Sequence, residues 1–319
     1  MLRHYDSLGL VRPTGRNESG YREYSSEDIQ RIFHIESLRS LGLSLREVGR
    51  ALDDPGFKPS ELVDGLIGRT RERIAAEAAL LTRLSRIGAA EPAGWEDVLQ
   101  TVSLLQALGS RSPGTRRRAA LSSVDEVPVP MEALVEAALS ETDPNVAGAL
   151  RWALAQSRDG GLVLLGDGLG SPVAEVRSCA VQAIAEIPDG VATALLRDAL
   201  TNPDIVVRGY AALGLGARGV ADAVATLVDM VAGGTNGVDA ADALSALADR
   251  SAPADWIAAG LVDRLAHVTV DPPARLRVAQ ALADIPGAAA SRALADLSYD
   301  EDRAVALTAA YVLEMRDAG

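Results

Sequence analysis

A phrase that returns at a fixed interval constrains this chain more than any single residue does. Pro172-Val-Ala-Glu-Val-Arg-Ser-Cys-Ala-Val-Gln-Ala-Ile is answered by Pro203-Asp-Ile-Val-Val-Arg-Gly-Tyr-Ala-Ala-Leu-Gly-Leu, which sets Val176-Arg177 and Val207-Arg208 31 residues apart, and Leu276-Arg277 marks a later copy. Related openings stand at Ser112-Pro113, Asp143-Pro144, Ser171-Pro172, Asn202-Pro203, Asp271-Pro272 and Tyr299-Asp300, each ahead of an Ala-rich helix. Proline fits there because a first helical turn has no use for its missing N–H. A second apolar helix follows each time, as in Ala192 to Leu200 and Ala221 to Met230. Two-helix units of about 28 to 36 residues cannot cover their own apolar faces, so they stack into an α-solenoid. From residue 89 onward Ala, Leu, Val, Asp and Gly dominate and few alternating runs occur, so the protein is expected to be mainly α. The period slips around Gly233-Gly234-Thr235-Asn236-Gly237.

The first 58 residues follow different rules. Leu2 to Leu8 reads as the end of a helix closed by Gly9, where a left-handed residue is cheap. Pro13, Gly15, Asn17 and Gly20 break any helix over Val11 to Tyr24, which suits a β-hairpin. Ser25 and Asp28 are spaced as a capping box for a helix carrying Ile29, Ile32, Phe33, Leu38 and Leu41 up to Gly42. Ser44 and Glu47 repeat the device for a helix through Val48 and Leu52 that stops at Asp53-Asp54-Pro55-Gly56. Residues 59–88 then predict one long helix whose apolar positions Val63, Ile67, Ile74, Leu81 and Leu84 advance by four, seven, seven and three, a coiled-coil rhythm broken only by Thr70 and Glu77. Such a narrow stripe calls for a second chain; the other reading packs it on the C-terminal half of its own chain. Residues 89–111 read as a linker and helix, and 112–319 as the repeats.

Charge divides the same way. Residues 1–88 hold 14 basic and 13 acidic side chains, and residues 89–319 hold 17 and 31. An acidic superhelix is a poor nucleic-acid surface and a fitting one for a protein or a cationic ligand. A single cysteine, Cys179, excludes an intramolecular disulfide, and no apolar run approaches the roughly 20 residues of a membrane span, so a cytoplasmic protein is expected. His4, His34 and His267 share no ligand spacing with one another or with Cys179, so no metal and no cofactor is expected. Gly166-Asp-Gly168-Leu-Gly170 lacks the rest of a phosphate-binding loop and reads as an inter-helix loop. Arg116-Arg117-Arg118 reads as a solvated repeat face, and Trp95, Trp152 and Trp256 as packing residues of the solenoid, although an aromatic on the concave surface would suit a ligand or peptide. No convergent catalytic set is present, so the protein is read as a non-enzyme.

The opening carries a resemblance. Leu2-Arg3-His4-Tyr5-Asp6-Ser7-Leu8-Gly9-Leu10-Val11-Arg12-Pro13, then Arg16, then Gly20-Tyr21-Arg22-Glu23-Tyr24, and finally Leu38-Arg39-Ser40-Leu41-Gly42-Leu43-Ser44-Leu45-Arg46-Glu47-Val48 closely resemble the MerR family of transcription regulators. The resemblance implies a winged helix-turn-helix, a long helix that pairs antiparallel in a homodimer, palindromic promoter DNA as partner, and RNA polymerase engaging the distorted promoter. It implies DNA contacts from Arg3, His4, Tyr5, Arg16, Asn17, Tyr21 and Arg22, which are chemically suited to phosphates. Tyr5, Tyr21 and Tyr24 have a second reading, as the core of a small domain, which is the one preferred for Tyr24. In the family a helix and a turn precede the Leu-Arg-x-Tyr-Asp phrase, whereas here Met1 stands directly before Leu2. Either the reading frame starts further upstream or the element that enters the major groove has been lost. Residues 112–316 are similar to HEAT-type repeats, especially the short bilin-lyase-like variety, in six or seven units. These resemblances imply a dimeric regulator whose repeats bind an effector or partner. The rival is a HEAT-repeat interaction scaffold without sequence-specific DNA binding, and an enzyme on the repeats, a bilin lyase or an alkyl-base DNA glycosylase, follows from fold analogy alone.

Overall fold

The computed structural model describes residues 2–90, 92–124, 130–157, 161–250, 252–267 and 271–317. Two compact units divide the chain, residues 1–82 and 83–319.

In the first unit α1 (Leu2–Ser7) ends at Gly9, whose φ of 71° is the left-handed value expected there. Strands β1 (Gly15–Arg16) and β2 (Arg22–Glu23) form an antiparallel hairpin with Gly15 opposite Glu23 and Arg16 opposite Arg22. Both capping boxes exist as read: Ser25 opens α2 (Ser26–Ser40) and Ser44 opens α3 (Leu45–Asp53). The Asp28 carboxylate accepts from the Ser25 amide at 2.9 Å, and that of Glu47 from the Ser44 amide at 2.8 Å. Both carboxyls are held below the ordinary range, Asp28 first by the Thr14 hydroxyl and Glu47 first by the Ser44 hydroxyl. The core is Tyr5, Leu10, Val11, Ile35, Leu43 and Val48. The apolar face expected of α2 is only half right: Ile32 and Leu38 pack at the core's edge, while Ile29, Leu41 and Phe33, the last 68 % exposed, face outward.

Helix α4 (Pro59–Ala89) runs for 31 residues and none of them is buried. Leu62 and Leu66 lie against the core of the first unit. The predicted seam, Val63, Ile67, Ile74, Leu81 and Leu84, is exposed along its length.

The second unit is wholly helical among the described residues: α5 (Trp95–Leu108), α6 (Pro113–Ser122), α7 (Met131–Ser140), α8 (Pro144–Gln156), α9 (Leu162–Gly168), α10 (Ala174–Glu186), α11 (Gly190–Ala199), α12 (Ile205–Ala217), α13 (Val224–Gly233), α14 (Gly237–Arg250), α15 (Ala254–His267), α16 (Pro272–Ala283), α17 (Ala288–Leu297) and α18 (Arg303–Asp317). Helices α6, α8, α10, α12, α14, α16 and α18 touch in succession as one layer of a solenoid; α7, α9 and α11, and again α13, α15 and α17, touch within the other. One core runs through the stack, with Leu134, Leu165, Leu196, Leu227, Leu261 and Leu294 buried from the second layer. Small residues bring helices close, within a layer and between layers: a Cβ on Gly214 would stand 2.9 Å from the Cβ of Ala185, and one on Gly168 would stand 3.0 Å from that of Ala180.

The arginine of the repeated phrase has a mechanical role. The fourth residue of α6, α10, α12 and α16 is Arg116, Arg177, Arg208 and Arg275. Arg116, Arg177 and Arg208 each donate to the carbonyl six residues back, at 2.9, 2.8 and 2.7 Å. Arg116, Arg177 and Arg275 also fork onto a carboxylate in the loop before the next helix of their layer, Glu141 at 2.7 Å, Asp204 at 2.6 Å and Asp300 at 2.9 Å. Those carboxyls sit below their ordinary range, in each case chiefly because of the guanidinium hydrogen bond. Arg275 therefore fills the place that the sequence pattern gives to Arg277, because α16 begins at Pro272 itself while α10 begins two residues after Pro172. Arg277 instead donates to the carbonyls of Val231 and Ala232 at the end of α13. A second clamp works at the other end of the layer. Arg218 donates to the carbonyls of Ile184, Ala185 and Ile187, and Arg316 to those of Leu282, Ala283 and Ile285. Each satisfies acceptors that the end of a helix leaves open.

Several other expectations change. Trp95 is 81 % exposed and Trp152 and Trp256 are also on the surface, so none of the three is a packing residue; the Ala- and Leu-rich stack fills without them. Gly166 to Gly168 form the last turn of α9 and not a loop, since close packing needs Gly168 inside the helix. Of the three consecutive arginines, Arg116 is ion-paired while Arg117 and Arg118 are exposed. Cys179 is half-buried in α10, and burial pushes its thiol up. The period slips at a turn in which Gly234 and Asn236 have positive φ. The His267 side chain lies outside the described residues.

Replacing Arg218 by Ala strands the helix-end carbonyls and is expected to cost about 2 kcal/mol in urea unfolding, with Arg218→Lys recovering only part of it. The paired carboxyls titrate lower in the fold than in the unfolded chain. Their contribution is thus full above the unfolded value of about 4 and is lost as pH falls through the lower folded value. Thermal unfolding of the Glu141→Gln, Asp300→Asn double variant should show a flatter loss of stability below about pH 4 than the parent shows.

Candidate nucleic-acid interface

The first unit exposes arginine on two elements built close together. Arg3 and His4 project to solvent from α1, while Tyr5, the next residue, turns inward and is 1 % exposed. The Tyr5 hydroxyl donates to Glu36 Oε1 at 2.6 Å and accepts from Arg39 at 3.0 Å, which ties α1 to α2. Tyr5 is therefore a core residue and does not belong with the surface groups expected to touch DNA. Its spacing in the sequence cannot separate the two roles, because a phenol serves equally well as core body and as phosphate donor.

The hairpin is shaped by Asn17. Its Oδ1 accepts from the amides of Ser19 and Tyr21 at 3.1 and 2.9 Å, and its own amide donates to the Tyr21 carbonyl at 2.9 Å. Gly20 completes the tip at a φ of 81° that a side chain would strain. Asn17 is thus engaged in holding the turn, and Tyr21 beside it stands 73 % exposed. Arg16 is exposed across the ladder from Arg22, and Arg22 reaches back to Asp6 of α1 at 2.9 Å. That ion pair fixes the hairpin against α1.

Arg3, Arg16, Tyr21, Arg22 and Tyr24 surround one open hollow of about 570 Å³. Two donors there, Arg22 Nε and the Tyr24 hydroxyl, are buried without a partner among the described residues. An unpaired buried donor is costly, and a phosphate oxygen is the acceptor that would relieve it. The orphaned Tyr24 hydroxyl is the signal that sequence alone does not carry: Tyr24 packs against the core, as read, yet it also lines the hollow and its buried hydroxyl has no partner among the described residues. Among the described residues no group of three or more His, Cys, Asp or Glu is placed to hold a metal ion, and no helix is long and apolar enough to cross a membrane.

Residues 1–54 match the family model of the MerR HTH family regulatory protein, and residues 162–248 match HEAT repeats. The chain carries a MerR-family head and HEAT repeats. The HTH-type transcriptional activator TipA of Streptomyces coelicolor is 39 % identical over 82 residues, which is 24 % of this chain and 32 % of TipA. The HTH-type transcriptional regulator SkgA of Caulobacter vibrioides is 40 % identical over 83 residues, 26 % of this chain and 31 % of SkgA. Nodulation protein NolA of Bradyrhizobium is 39 % identical over 83 residues, 26 % of this chain and 33 % of NolA. The chain thus spans about a third of the length of the curated relatives it matches. The MerR model covers the start of the chain, while the HEAT model covers the middle of the solenoid.

Tyr5→Phe should lower the unfolding free energy by about 1 kcal/mol through loss of the bond to Glu36 and Arg39, without altering the salt dependence of any binding to duplex DNA. Chemical unfolding paired with a duplex titration checks both halves.

Proposed function

We propose that this protein is a dimeric DNA-binding transcription regulator that grips promoter DNA through its MerR head and carries the HEAT repeats as an effector- or partner-binding module. One observation carries the reading: three arginines, Arg3, Arg16 and Arg22, converge on a hollow that also presents two buried donors without acceptors. Phosphates of a duplex supply both the charge and the acceptors, and such contacts position a protein on DNA. His4 is exposed next to Arg3, and Asn17 holds the turn that presents Tyr21. The named relatives TipA and SkgA are a transcriptional activator and a transcriptional regulator, which supports the same class. A change in the repeats that alters the angle between two heads would alter the promoter and thereby its engagement by RNA polymerase.

The dimer reading rests on α4. Its stripe of Val63, Ile67, Ile74, Leu81 and Leu84 is exposed over a helix of 31 residues, and water is a poor cover for so much aliphatic surface. Ile67→Glu with Ile74→Glu is expected to convert the protein to a monomer in sedimentation velocity while leaving its helix content unchanged.

The rival reading is a repeat scaffold without sequence-specific DNA binding, favoured by the 31 acidic against 17 basic residues of positions 89–319. Salt separates the two. A regulator that grips phosphates loses affinity linearly on a log–log plot, and Arg16→Ala with Arg22→Ala should make that slope shallower by about 0.9 for each phosphate contact removed. A slope near zero in the parent protein would exclude the DNA-binding reading.

A further inference from the structure

The second layer of the solenoid carries a signature more regular than the Val-Arg phrase. Two residues after one buried leucine of each of its helices stands an exposed acid: Leu134 precedes Glu136, Leu165 precedes Asp167, Leu196 precedes Asp198, Leu227 precedes Asp229, Leu261 precedes Asp263, and Leu294 precedes Asp296. The leucine fixes the rotation of each helix against the core, so the acids occupy equivalent outward positions. They form one run on α7, α9 and α11 and another on α13, α15 and α17, helices that touch in that order. Asp167, Asp198 and Asp296 have no side-chain partner among the described residues.

Between α13 and α15 this face opens into a groove of about 410 Å³, bordered by Val228, Asp229, Trp256, Gly260, Asp263 and Arg264. Trp256 is 50 % exposed there. Arg264 pairs with Asp229 at 3.2 Å, yet its Nε is buried and unpartnered. An aromatic face beside carboxylates suits a guanidinium or ammonium group by cation–π and ionic attraction together.

We propose that this face binds a basic polypeptide segment in the polyproline II conformation, seating one Lys or Arg over Trp256 and presenting further basic side chains to the acids of successive helices. Spacing selects that occupant over a small cation. Packed helices lie about 8 to 10 Å apart, and a polyproline II chain returns a side chain to the same face every third residue, after about 9 Å. The inference rests on the reading of the repeats as a partner-binding module and is independent of the DNA reading.

The test is fluorescence anisotropy with the full-length protein and a labelled peptide of roughly 18 residues bearing Arg at every third position. Saturable binding is expected, weakened about tenfold or more by Trp256→Ala and by the Asp167→Asn, Asp198→Asn, Asp296→Asn triple variant. A peptide of the same composition with its arginines contiguous should bind about tenfold more weakly. The triple variant changes only exposed side chains, so it carries the test if Trp256→Ala does not fold, and circular dichroism melting reports which variants do. Equal binding of both peptides, unchanged affinity in the triple variant, or no binding overturns the proposal. Free arginine amide binding as tightly as the peptide also overturns it while leaving the partner-binding module standing. Duplex titration of the same preparations tests the DNA reading separately.

Discussion

A helix hairpin has more apolar surface than one neighbour can cover, and the repeat half of this protein is organised around that shortage. Leucines at matching positions of the second layer feed a continuous core, and glycine or alanine stands where two helices approach most closely. Dispersion and burial alone would let such smooth helices slide. Guanidinium groups remove that freedom. Arg116, Arg177 and Arg275 reach from the first turn of one helix to the loop before the next in their layer, and Arg218 and Arg316 cover the far ends of α10 and α16. A planar cation with five donors holds two loops in register in a way that an apolar contact does not.

The head solves a different problem with similar means. It is too small for a large core, so polar links assemble it: Tyr5 to Glu36 and Arg39 across α1 and α2, Arg22 to Asp6 across the hairpin and α1, and Thr14 to Asp28 at the start of α2. One scaffold group, the Arg22 guanidinium, also keeps a buried donor without a partner among the described residues and lines the hollow. The ion pair that holds the hairpin thus fixes the geometry of the hollow as well.

Local signals were legible in the sequence and long-range ones were not. Ser25 with Asp28, Ser44 with Glu47, Gly9 and the breakers of residues 13–20 each act within a few residues, so their spacing reveals their role. The solenoid was legible because its units must recur. For Tyr5 and the three tryptophans the sequence leaves two readings, because side-chain chemistry does not say which way a residue faces. The repeated phrase points to Arg277 where the fold uses Arg275, because the fold counts from the first helical residue. The Leu-x-acid signature was open to reading, at intervals of 31, 31, 31, 34 and 33, and the louder Val-Arg phrase concealed it. Among the expected DNA-facing residues, Arg3, Arg16, Tyr21 and Arg22 surround the hollow, His4 lies beside them, Asn17 serves the turn, and Tyr5 is inside.

Every arginine that crosslinks the first layer reaches a neighbouring unit and goes no further. The donor and the acceptor of such a pair sit on different hairpins: Arg177 of α10 reaches the acid before α12, and Arg275 of α16 reaches the acid before α18. A change in repeat number therefore keeps every pair only when donor and acceptor hairpins leave or enter together, which favours adjusting the reach of the solenoid in steps of two hairpins.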